Sequence, residues 1–136
     1  MAVTATPVFV QTPKITPITI VAADASNQKT VATAGANGMK VTALFATSDD
    51  TSDRVVKVSL TRSAVAYLMA AVNVPDLSGT DGTNPTVNLM NSTQWPGLPV
   101  DNDGQPYLLL ESGDTLTVST TTTVTAAKTV TAVCVA

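Results

Sequence analysis

Threonine and valine supply 43 of the 136 residues, and that share decides most of what the chain can become. Both are branched at Cβ, which stiffens χ1 and suits the pleated surface of a strand better than the wall of a helix. The acidic residues point the same way. Nine of the ten are Asp, a turn residue, and Glu111 is the only example of the stronger helix former. These facts disfavour a helical bundle and a coiled coil. A chain of this length makes one compact domain. It buries roughly two-thirds of its unfolded surface and needs neither disulfide nor metal to fold.

Charge and missing residue types narrow the function. The formal net charge is −3, and the seven cations (Lys14, Lys29, Lys40, Arg54, Lys57, Arg62, Lys128) are scattered. Without a basic patch, no nucleic-acid partner is expected. The chain has no histidine. That removes imidazole acid–base catalysis, the Ser-His and Cys-His nucleophile pairs and His-containing zinc sites. Cys134 is the single cysteine, so no disulfide can form within the chain. The N-terminus has neither a basic n-region nor an apolar h-region, so no cleaved export signal is expected. The longest apolar run, residues 64–72, is about half of the roughly 20 residues a membrane helix needs, which argues for a soluble protein with no membrane partner.

Residues 1–14 carry Pro7 and Pro13 without clean alternation, and with Pro17 they read as an extended arm or an edge. A single domain follows over residues 15–136. Short strands are expected around Ile18 and Ile20, over 29–34, over 39–47 with Val41, Ala43 and Phe45 on one face, and over 54–61 with Val56, Val58 and Leu60 inward. Residues 64–74 have the Ala, Leu and Met content of a helix. Their short polar link to the previous strand and their Val-Asn-Val-Pro ending favour a hairpin partner. Residues 75–106 hold five of the eight prolines and four of the seven glycines, the mark of one long functional or interface loop. Within it, Asn84 before Pro85 predicts a short helical turn over 84–90. Strands resume over 107–111, 114–121 and 128–135, the last with Val130, Ala132 and Cys134 inward. The count of about eight short strands predicts an all-β fold: an antiparallel β-sandwich, jelly-roll-like.

Reactive constellations are hard to find. Asp101-Asn102-Asp103-Gly104 resembles part of a calcium loop, but aligning Gly104 on the sixth position puts Pro99 first and Leu110 twelfth, where ligands are required. A polar turn is the better reading. Asp49, Asp50 and Asp53 read as a charged hairpin tip. Glu111 has no second carboxylate to make a glycosidase pair, and Thr120, Thr121, Thr122 and Thr123 have no base beside them. Cys134 reads as a small buried hydrophobe. Neither cofactor nor metal nor catalytic residue is expected. Trp95, inside QWPGLP, is either a plug over the end of the core or an exposed anchor for a partner, with Leu98 beside it. In the arm, Val8, Phe9 and Val10 are apolar anchors that could add as a strand to a neighbour's sheet edge.

Four segments carry a resemblance: residues 37–49 (NGMKVTALFATSD), 81–91 (DGTNPTVNLMN), 96–104 (PGLPVDNDG) and 124–130 (VTAAKTV). From about residue 30 onward the chain resembles the head decoration, or cement, proteins of tailed bacteriophages. The resemblance implies a jelly-roll or sandwich domain on the outer surface of an icosahedral capsid, made in the host cytoplasm. It implies bridging of neighbouring major capsid protein subunits and self-association as a dimer or trimer. It transfers no catalytic residues. The alternative expectation is a carbohydrate-binding or adhesin-like sandwich of a phage tail, which would present ordered aromatics or Ca²⁺ at a loop end.

Overall fold

The computed structural model describes residues 14–136. Ten strands follow in chain order among the described residues: β1 (Ile15–Val21), β2 (Lys29–Thr33), β3 (Met39–Val41), β4 (Ala43–Ser48), β5 (Arg54–Arg62), β6 (Val65–Val74), β7 (Val87–Asn88), β8 (Leu108–Leu110), β9 (Thr115–Thr120) and β10 (Thr129–Val135). A single 3-10 turn, Ala22–Asp24, interrupts them. The fold is all-β, and every strand pairing is antiparallel. One sheet runs β1-β10-β4-β7 and the other β2-β9-β5-β6, while β3 and β8 form a separate two-stranded ribbon.

Alternation builds the core between the two four-stranded sheets. Ile20, Leu44, Ala46, Val130, Ala132 and Cys134 come from the first sheet, and Val31, Val56, Val58, Val72, Leu116 and Val118 from the second, all in one buried cluster. Each fully buried Val, Leu or Ile contributes roughly 1.5–3 kcal/mol by leaving water. The inward sets expected for β5 and β10 are largely as observed: Val56 and Val58 are fully covered with Leu60 half-buried, and Val130, Ala132 and Cys134 alternate with half-exposed neighbours. The ambiguous run 64–74 is the strand β6 after one turn residue, paired with β5 at every position but Met69. Pro17 lies in β1, which pairs only with β10, so its missing N–H is tolerated at a sheet edge.

Two expectations are corrected. Residues 39–47 are two strands, not one. Val41 pairs with Leu108 in the ribbon, whereas Ala43 pairs with Val135 in the main sheet. Between them the Thr42 N–H donates to the Val135 carbonyl at 2.8 Å. Crossing from ribbon to sheet shifts the phase by one residue, so Leu44, Ala46 and Ser48 point inward and Ala43 and Phe45 do not. The helical turn over 84–90 is also absent. Asn84 spends its side-chain amide on the Asp76 carbonyl (2.8 Å), and its own N–H donates to the Asp81 carboxylate (2.9 Å). Val87 and Asn88 instead pair with Ala46 and Phe45 as β7, and the Leu89 N–H reaches the Leu44 carbonyl at 2.8 Å. The open edge of β4 offers a ladder, and the burial of Leu89 and Met90 beneath it outweighs a local cap.

Pairing begins at Lys14, whose N–H and C=O exchange hydrogen bonds with Ala136 (3.0 and 2.9 Å). The rest of the expected arm, with Val8, Phe9 and Val10, lies outside the described residues.

At one end of the sandwich a buried carboxylate ties three segments together. Asp50 is fully covered. It accepts from the Thr125 N–H (2.9 Å), the Thr125 hydroxyl (2.8 Å), Arg54 Nε (2.9 Å) and the Ser52 N–H (3.1 Å). Burial pushes its pKa up, but those four donors together hold it far below the usual carboxylate range. At the other end Asp114 takes a two-pronged grip from Arg62, Nε to Oδ1 at 2.8 Å and Nη2 to Oδ2 at 2.6 Å, and accepts from the Glu111 N–H at 2.9 Å. The Arg62 bonds hold Asp114 below the ordinary carboxylate value of 3.8. Depressed acids stabilise the fold fully above that unfolded-state value and cease to do so as pH falls through it toward the folded-state value. Denaturant unfolding should therefore give a flat stability from neutral pH down to about 5, then a decline below about 4. Asp50→Ala should cost about 3–5 kcal/mol at pH 7.

Candidate interaction surface

The hairpin of β5 and β6 carries the apolar surface that the core does not absorb. Its two-residue turn is Ser63 and Ala64, with φ of 51° and 64°. Both positive values match the turn whose twist suits a β-hairpin, a position that Asn-Gly usually fills. An L-alanine there carries about 1–2 kcal/mol of left-handed strain. Arg62 closes the turn on the β5 side and is pinned by Asp114, so the start of β6 is held in place. The Asp114 bonds keep the guanidinium firmly protonated.

The first half of β6 is then left bare. Val65 is 49% exposed, Tyr67 54%, Leu68 60% and Met69 38%, whereas Ala70, Val72 and Val74 are buried in the usual alternation. β6 is the edge of its sheet, and the edge strand of the opposite sheet, β7, is only two residues long. Residues 65–68 thus reach past the cover that the first sheet provides. A run of consecutive apolar residues normally marks a strand covered on both faces. Here, among the described residues, both faces and one edge are open. Met69 has no partner on β5, because Ser59 pairs with Leu68 and Val58 with Ala70; it is the extra residue of a bulge.

Trp95 and Leu98, carried from the sequence as interface residues, are 7% and 8% exposed and belong to the core cluster. The indole N–H donates to the Leu89 carbonyl at 2.6 Å, and Asn91 orients the segment by accepting from the Gln94 N–H through its side chain (2.8 Å) and from the Trp95 N–H through its carbonyl (3.2 Å). Of the two readings of Trp95, this geometry is that of the plug. Their contribution to the surface is one wall of a shallow groove of about 410 Å³, which Met69, Pro96, Pro99 and Leu108 complete. A second groove of about 320 Å³, lined by Lys57, Ser59, Ser119 and Thr121, lies across β5 and β9, with Leu68 at its rim.

The acidic candidates serve the backbone. Asp49 accepts from the Thr129 N–H (2.6 Å), Asp53 from the Asp76 N–H (2.9 Å), and Asp101 from the Asp103 and Gln105 N–H groups (2.9 Å each). Glu111 lies 3.5 Å from Arg62 on the surface. Among the described residues, no three His, Cys, Asp or Glu side chains gather as around a metal ion. Thr120 is buried with its hydroxyl on the Ala25 carbonyl (3.3 Å), while Thr121, Thr122 and Thr123 are exposed. Burial pushes the Cys134 thiol up to about 11, against a smaller opposing pull from Lys14, so it stays a neutral core residue.

No protein-family model, curated protein or solved structure matches this chain.

The sequence reading missed Val65, Tyr67, Leu68 and Met69 because an apolar stretch signals burial and says nothing about which partner supplies the cover. Ala64→Gly should raise stability by about 1 kcal/mol in denaturant unfolding, since glycine relieves the positive φ. Trp95→Ala should lower it by roughly 3–5 kcal/mol.

Proposed function

We propose that this protein is a structural virion component that decorates an icosahedral phage capsid and bridges neighbouring major capsid protein subunits. The observation that carries the reading is the bare first half of β6, where apolar side chains face outward from an otherwise well-filled sandwich. Such a patch suits a standing contact with a larger assembly better than a free life in solution. The cement-protein resemblance of residues 37–49, 81–91, 96–104 and 124–130 supports the same reading. The strand order also supports a jelly roll: β1 lies beside β10 and β2 beside β9, and the chain changes sheet between β1 and β2, β4 and β5, β6 and β7, and β9 and β10.

The mechanism is mechanical. Each copy binds the assembled shell and not its separated parts, which shifts the equilibrium toward the closed shell by mass action. Symmetric placement multiplies weak contacts into a strong total hold. The low charge of the chain suits an apolar, hydrogen-bonded contact with modest salt dependence. Copies of the protein would occupy the outer capsid surface and self-associate there.

Heads carrying the protein should retain DNA to a higher temperature than heads lacking it. Equal release temperatures, followed by dye uptake during heating, would remove the cementing role. Glycan-array binding or a calcium-dependent rise in melting temperature would move the reading to the carbohydrate-binding alternative.

A further inference from the structure

We propose that the open edge of β6 is a homodimer interface, in which two copies pair β6 to β6 about a two-fold axis at Met69 and Ala70. This rests on the self-association in the reading above and names the surface that performs it.

Residues 65–74 (VAYLMAAVNV) contain no charge, proline or glycine over ten residues, about 33 Å of edge at roughly 3.3 Å per residue. Sheet edges in monomers are normally guarded by just those residues. The one guard present is the bulge at Met69. It divides the edge into two stretches, 65–68 and 70–74, and a regular foreign strand would fall out of register on crossing it. A second copy carries the same irregularity at the same place. A two-fold through the bulge puts both irregularities on the axis and lets the first stretch of each copy run against the second stretch of the other.

The side chains fit that arrangement. The first stretch and the bulge are bulky (Val65, Tyr67, Leu68, Met69), and the second begins small (Ala70, Ala71). Antiparallel self-pairing therefore sets large against small on both sides of the axis. Arg62 precedes the strand, with its guanidinium already held by Asp114 and beside Glu111, and Asp76 follows it, so the flanks bring no unpaired cation to the contact. In the dimer the Arg62 end of one copy lies beside the Asp76 end of the other. The two-residue turn makes Arg62 and Val65 a hydrogen-bonded pair, so the backbone groups of Ala66 and Leu68 face the open edge and are free to complete the joint ladder.

The test is sedimentation of the full chain over concentrations up to about 100 μM. A dimer is expected. Leu68→Lys, which puts a cation at an already exposed edge position, should weaken it at least 100-fold. Leu109→Lys, at an exposed leucine on β8, should leave it unchanged. Met69→Cys should cross-link copy to copy on oxidation. Ala66→Cys should not, because its two copies stand about 20 Å apart and a disulfide requires Cα atoms within about 7 Å. Circular dichroism verifies the fold of each variant. A monomer at every concentration, a Leu68→Lys dimer as tight as the wild type, dissociation by Leu109→Lys, or cross-linking through residue 66 instead of 69 would each overturn the proposal. If Leu68→Lys abolishes attachment to heads but keeps the dimer, the edge belongs to the capsid and the proposed function stands without this interface. If the wild-type dimer forms but ignores heads, the interface stands and the capsid reading falls.

Discussion

Val56 and Val58 on β5 share one core with Leu44 and Ala46 on β4, and every other element is placed by the need to keep that shared core dry. A strand can offer only alternate residues to one side, so two sheets facing each other close both inner faces at once. The side chains that meet there are short and branched, which lets the sheets approach without long rotamers to freeze. Polar atoms that the closure traps are answered in place. Among the described residues, every buried side-chain nitrogen and oxygen has a hydrogen-bond partner. Asp50 is the extreme case, with donors from an arginine, a threonine hydroxyl and two backbone amides.

The same constraint explains what becomes of the cover at the molecule's margins. β7 is two residues long because the chain after Asn88 turns to bury Leu89, Met90 and Trp95 under the sheet edge. Those three side chains join the buried core, and the sheet ends in a fourth strand of two residues. β6, on the other sheet, keeps its full ten residues. The mismatch in length between the two edge strands is what leaves residues 65–68 without an inner face to lie on.

Much of the fold was legible in the sequence. The all-β class follows from the threonine and valine content, and the inward residues of β5 and β10 follow from period-2 alternation. Failures came where alternation stops being local. Nothing in residues 39–47 marks the switch of partners at Thr42, because both halves alternate correctly and only the pairing with Leu108 or Val135 separates them. At Asn84 a sound helix-capping signal lost to a tertiary opportunity, the unpaired edge of β4. The surface was least legible. Trp95 drew attention as a lone aromatic among prolines, and its bulk is spent on the core. Val65, Tyr67, Leu68 and Met69 looked like ordinary strand interior, since hydrophobicity records a demand for cover and not its source.

The reciprocal hydrogen bonds between Lys14 and Ala136 bring the two ends of the described chain side by side at the margin of one sheet. With residues 1–13 removed, a linker of a few residues would join Ala136 to Lys14 and let the chain be opened instead at an exposed turn such as Asp101–Gly104, giving a circularly permuted molecule with the same sheets. The same proximity means that a guest domain spliced onto the C-terminal residue would leave from the corner where β1 starts, away from the opposite edge formed by β6.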